Sequence, residues 1–173
     1  MWKTLHQIAR VGRISEAPSA PSPALAQPGA EAPRIQADVL RILGRALAIR
    51  VVDAGSCNGC ELEINALSNP YYNIEGLGIQ FVASPRHADL LLVTGPVSRH
   101  MELALRRTFD AMPDPKLVVA AGDCACNGGV FGESYATCGR VSHVLPVDVT
   151  VPGCPPSPNA LLQGILLAVQ RRV

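Results

Sequence analysis

Five short apolar runs stand out along the chain: Leu47–Asp53, Ile79–Ala83, Leu90–Thr94, Leu117–Ala121 and Val144–Val149. They are close to continuous rather than alternating, the pattern of strands buried on both faces of a parallel sheet. Between them, Cys60–Leu67, Met101–Met112 and Pro158–Val169 read as helices. Ser157 ahead of Pro158 marks a helix start, with a hydroxyl placed to cap and a proline at the first helical position, where its missing N–H costs nothing. Strand alternating with helix predicts a doubly wound, mostly parallel α/β domain, flavodoxin-like in outline, over residues 38–173.

The first 37 residues read differently. Trp2, Leu5, Ile8 and Val11 recur every third position, which predicts a short amphipathic helix with Lys3, Arg10 and Arg13 on its other faces. Residues 17–34 are rich in Pro, Ala and Ser and predict an extended linker. Such a helix could dock on a neighbouring subunit or lie on a membrane surface.

Composition narrows the function classes. The chain has 173 residues, a formal net charge of +1 and no basic run, so a nucleic-acid partner is not expected. Charged residues make up 17%, against about 25% in a typical soluble domain. Apolar residues reach 48%, which points to surface covered by a partner protein. The richest apolar segments, Ala88–Pro96 and Ala160–Val169, are well short of the roughly 20 residues that cross a bilayer. The first residues show neither an apolar leader core nor a twin-arginine pair, so the six cysteines are expected in a reducing compartment, as ligands or free thiols.

Where the cysteines fall is the most informative feature. Cys57 and Cys60 follow the first expected strand, Cys124 the fourth and Cys154 the fifth. In an open parallel sheet the loops after the strands' carboxyl ends share one edge, so thiols almost a hundred positions apart can converge there. Asn58 and Gly59 permit a tight turn between the first pair, and Pro152, Pro155 and Pro156 stiffen the loop around Cys154. Four converging thiolates suit an iron–sulfur cluster. They also suit zinc, and a lone C-x-x-C pair suits a redox dithiol. Cys126 and Cys138 are left over; Cys126 competes with Cys124 as a ligand, or both are small buried thiols.

Four stretches carry a family resemblance: GSCNGCELEI (55–64), SPRHADLLLVTGPVSR (84–99), AAGDCACNGGVF (120–131) and LPVDVTVPGCPPSPNALLQGI (145–165). Over residues 45–169 the chain resembles the small subunits of energy-converting (group 4, formate hydrogenlyase-type) [NiFe] hydrogenases. It also resembles the related 20 kDa, or B, subunit of respiratory complex I. The resemblance implies that Cys57, Cys60, Cys124 and Cys154 ligate one [4Fe-4S] cluster. It implies electron transfer between a hydrogenase-large-subunit-like (complex I 49 kDa-like) partner and a ferredoxin-like iron–sulfur subunit. It further implies membrane subunits in the same complex, and a cytoplasmic location, peripheral on the inner face of the cell membrane. No residue beyond the four cysteines suggests a second metal site, so neither nickel nor substrate is expected on this chain.

Two other readings stay open. Complex I subunits carry adjacent cysteines where this chain has Cys57-x-x-Cys60, yet a complex I-type B subunit handing electrons to quinone is the first alternative. A zinc-stabilised structural adaptor is the second. Around the ligands, Glu61 and Glu63 suit the start of a helix, where they complement its dipole. Within the resemblance Glu63 is a candidate for proton or interface work. Arg86 and Arg99 follow the second and third strands, and Arg99 is the candidate cation beside an anionic cluster. His87 and His100 neighbour them and read as capping or interface residues, or as groups titrating with the cluster.

Overall fold

The computed structural model describes residues 44–171, together with Trp2, His6, Arg10, Ala37 and Arg41. Of the N-terminal expectations, Trp2, His6 and Arg10 are helical, and the rest of the amphipathic segment and the linker lie outside the described residues.

Five strands form one sheet: β1 (Leu47–Asp53), β2 (Ile79–Phe81), β3 (Leu90–Thr94), β4 (Leu117–Ala121) and β5 (Val149–Val151). The order is β2-β1-β3-β4-β5, with every pairing parallel. This is the doubly wound, flavodoxin-like order, and its winding reverses between β1 and β3, where such sheets open a ligand crevice. All five residues of β3 and all five of β4 are buried, which explains their uninterrupted apolar sequence.

Alternation along each strand divides the core into two layers. Leu90 and Leu92 of β3 face Ile64 of α1 (Gly59–Ala66) and Leu161 and Ile165 of α4 (Pro158–Gln170). Leu91 and Val93 face the other way, toward Leu105 of α2 (Arg99–Asp110) and Ala125 of α3 (Asp123–Asn127). Ser157 caps α4 as expected, its hydroxyl accepting from the Ala160 N–H at 3.3 Å with Pro158 next in line. Among the described residues no helix is long and apolar enough to cross a membrane.

Several expected boundaries move. β2 stops at Phe81 rather than Ala83. The fifth strand is Val149–Val151, not Val144–Val149. Val144 and Leu145 follow a 3-10 turn at Val141–His143 and pack into the layer beneath α2, so they are apolar through burial in a loop. Pairing with β4 begins only at Asp148, whose N–H donates to the Val118 carbonyl and whose carboxylate accepts from the Val118 N–H at 2.7 Å. The Cys124 segment, expected as a loop, is the one-turn helix α3.

Candidate metal centre

Three loops at the carboxyl ends of the strands build the site. The first follows β1. Asp53 accepts from the N–H groups of Gly55 (2.8 Å) and Ser56 (2.7 Å), folding the chain back immediately after the strand. Asn58 then takes a left-handed conformation, φ 72°, as the chain enters α1. Cys57 is left in the turn and Cys60 in the first helical turn. The Glu61 carboxylate accepts from the hydroxyls of Ser56 and of Thr94, the fully buried last residue of β3.

The second and third loops are joined to each other. Asp123, at the start of α3, donates its N–H to the Gly153 carbonyl at 2.9 Å and accepts from the Gly153 N–H at 2.7 Å. Cys124 and Cys154, each next in sequence to one of these residues, are thereby held in register across the gap between β4 and β5. Two glycines pass against the thiols. A Cβ on Gly122 (φ 91°) would stand 2.5 Å from Cys60 Sγ, and one on Gly129 (φ 53°) would stand 2.7 Å from Cys124 Sγ. Neither position admits a side chain without moving a sulfur.

The result is a cavity of about 120 Å³ lined by all four of Cys57, Cys60, Cys124 and Cys154, with Asp123 its one charged wall residue. Cys57 and Cys154 reach the surface, and Cys60 and Cys124 lie deeper. Burial pushes the Cys60 thiol up to about 12, and the charges of Glu61, Cys57, Cys124 and Cys154 add to the rise. Burial likewise raises Cys124, with Cys154, Cys57 and Asp123 contributing. With no cation in the wall, the raised Cys60 and Cys124 thiols hold their protons at neutral pH unless a metal supplies positive charge, and uptake of metal there would release those protons. Among the described residues no three His, Cys, Asp or Glu side chains are grouped to hold one metal ion. Four sulfurs opening onto one cavity can serve a polynuclear group, with a thiolate at each corner, or a single tetrahedral ion.

The other expected residues lie outside this cavity. Glu63 is half-buried on α1, and Arg99, exposed at the start of α2, sits 3.8 Å from Glu102. Arg99 instead borders a second cavity of about 370 Å³ with Glu102, Glu133, Cys138 and His143. Arg86 and His87 are exposed in a 3-10 turn (Pro85–His87) on the return from β2 to β3, and His100 is exposed on α2. Cys126 points back to the Ala120 carbonyl at 3.5 Å, its thiol pushed up to about 11 by burial. Cys138 is buried and donates to Glu102 at 3.3 Å. Sequence reasoning missed the parts played by Asp53, Thr94 and Asp123. Carboxylates beside the ligands were the available signal, but their partners lie up to 33 positions away.

Comparison with known proteins shows the family and the fold. Residues 57–168 match the family model for the 20 kDa subunit of NADH ubiquinone oxidoreductase. A probable membrane-bound hydrogenase subunit of Pyrococcus furiosus is 45% identical over 135 residues, covering 78% of this chain and 81% of that protein. Formate hydrogenlyase subunit 7 of Escherichia coli is 43% identical over 135 residues, again 78% of this chain, but the match spans only 53% of that longer protein. Among solved structures, a chain of the membrane-bound sulfane sulfur reductase, an archaeal respiratory membrane complex, superposes with a TM-score of 0.65 at 33% identity, covering 79% of this chain and 74% of its own.

Proposed function

The chain belongs to the NADH ubiquinone oxidoreductase 20 kDa subunit family, and on that premise we propose that it is an electron-transfer subunit holding one [4Fe-4S] cluster on Cys57, Cys60, Cys124 and Cys154. The observation that carries the proposal is the single cavity onto which four thiols from three strand-end loops open. Such a cluster, when bound, takes up and releases one electron at a time. The protein's share of the work is to aim the sulfurs, exclude bulk and hold the loops still. Gly122 and Gly129 keep the backbone tight against the thiols, and the Asp123–Gly153 pair fixes the spacing between the last two ligands.

The proposed partner is a hydrogenase-large-subunit-like (complex I 49 kDa-like) protein covering the cysteine edge. Leu62 is 62% exposed on the ligand helix, and Val130, Phe131 and Tyr135, in the segment after Cys124, are 94%, 57% and 98% exposed. Large apolar side chains so bare on the ligand helix and in the segment after Cys124 are what a covering subunit would bury. Burial would also keep water from the cluster. Glu63 and Arg99, the first on the ligand helix and the second shortly after β3, are proposed to flank the cluster at that edge. A ferredoxin-like subunit is proposed as the second electron partner, within a membrane complex of the kind named for the relatives, which would make this a peripheral subunit on the cytoplasmic side.

A complex I-type role, with quinone as acceptor, has the family model in its favour; the spaced Cys57–Cys60 pair sides with the hydrogenase branch. Purifying the intact complex anaerobically tests the choice. A large subunit with two C-x-x-C pairs is expected to copurify, with hydrogen-dependent bleaching of the cluster's absorption. Quinone-dependent reoxidation with a partner lacking those pairs would favour the alternative, and purification with no redox partner would overturn both.

A further inference from the structure

Glu61 is the residue nearest the centre in sequence whose chemistry remains unassigned. It follows the ligand Cys60 directly and occupies the first turn of α1, yet its carboxylate does not reach into solvent as a helix-dipole partner would. One oxygen accepts from the Ser56 hydroxyl at 2.5 Å, the other from the Thr94 hydroxyl. Ser56 precedes the ligand Cys57 and also accepts, through its Oγ, from the Asn58 N–H at 3.0 Å. Thr94 is fully buried at the end of β3, on the strand across the point where the winding reverses. A single carboxylate thus ties the turn carrying Cys57 and the helix carrying Cys60 to the neighbouring strand.

Its charge has no local counterion. The hydroxyl partners are neutral, no ion pair to Glu61 exists among the described residues, and the thiol-lined cavity contains no Lys, Arg or His. A glutamine could accept one of the two hydroxyl bonds and offer its NH₂ to the other, so hydrogen bonding alone does not require an acid here. An ionised carboxylate held still by two hydroxyls is a fixed negative charge one residue from a ligand. Charge so placed opposes the extra electron of the reduced centre, and a half-buried setting screens it less than open water would.

We propose that Glu61 is a positioning residue that anchors the Cys57–Cys60 loop through Ser56 and Thr94 and holds a fixed negative charge there that lowers the reduction potential of the centre. This rests on the cluster assignment above. It biases the subunit toward accepting electrons only from strongly reducing donors and passing them on readily.

The test is a redox titration of the anaerobically purified complex carrying E61Q or E61D, monitored by electron paramagnetic resonance, alongside iron analysis. E61Q should retain iron and raise the midpoint potential by an amount equivalent to about tenfold in the one-electron equilibrium, about 59 mV. E61D, which keeps the charge, should return most of that shift. Full iron in E61Q with an unchanged potential would overturn the inference while leaving the cluster assignment intact. An equal shift in E61D and E61Q would overturn it too, because loop geometry rather than charge would then set the potential. Should E61Q lose its iron, E61D decides: iron retained at the wild-type potential supports the proposal, and iron lost there as well reduces Glu61 to a purely structural group. Wild-type complex without iron would overturn this inference and the cluster assignment together.

Discussion

Asp123 and Gly153, thirty residues apart, exchange two hydrogen bonds: Asp123 N–H to the Gly153 carbonyl at 2.9 Å, and Gly153 N–H to the Asp123 carboxylate at 2.7 Å. Each residue directly precedes a proposed ligand, so the pair sets the distance between Cys124 and Cys154. The backbone half of the exchange resembles a continuation of the β4–β5 pairing; the side-chain half is added by the choice of aspartate.

Asp123→Ala should therefore weaken the centre more than the fold. Loss of the carboxylate leaves the part-buried Gly153 N–H without its acceptor, a cost of about 1–3 kcal/mol. The backbone bond to Gly153 remains, so the sheet should survive. The expected result is near-native circular dichroism with faster loss of iron to a chelator, followed by absorbance. Asn at this position keeps an acceptor oxygen and should recover most of the retention.

The ligand set makes a sharper prediction. Serine in place of Cys57, Cys60, Cys124 or Cys154 should each abolish or severely perturb the cluster, since these four thiols share one cavity. Serine in place of Cys126 or Cys138 should leave iron near wild type, because those thiols are turned to the Ala120 carbonyl and to Glu102. Iron loss in the Cys126 variant with retention in the Cys124 variant would reassign the third ligand.

Much of this frame was legible in the sequence, for identifiable reasons. β3 and β4 match their expected bounds to the residue because burial on both faces writes a continuous apolar run, and β1 matches although half-buried Arg50 interrupts its run. β5 was displaced because Val144 and Leu145 are apolar for a different reason, packing as loop residues beneath the sheet, and only three residues beyond them pair with β4. α3 escaped notice because a single turn between Gly122 and Gly128 carries no helical period. The convergence of the four cysteines followed from topology. The clamps did not, since Glu61 meets Thr94 and Asp123 meets Gly153 only after strands distant in the chain lie side by side.

Space around the sulfurs gives a third prediction. Gly122→Ala would place a Cβ 2.5 Å from Cys60 Sγ on a backbone at φ 91°, so either the sulfur or the loop must move. Iron content should fall several-fold. Gly44→Ala is the matched control: its backbone is also left-handed, φ 67°, but nothing lies within 4 Å of the new Cβ. That variant should cost about 1–2 kcal/mol in a urea titration and keep its iron. Full iron in Gly122→Ala would mean that Cys60 does not need the position the structure gives it.

Metal and sulfide analysis of the anaerobically purified full chain tests the central claim most directly. The expected result is about four iron and four acid-labile sulfide per chain, a brown colour, and broad absorption that bleaches under dithionite as a paramagnetic signal appears. A colourless, equally stable protein holding about one zinc and no sulfide would contradict it.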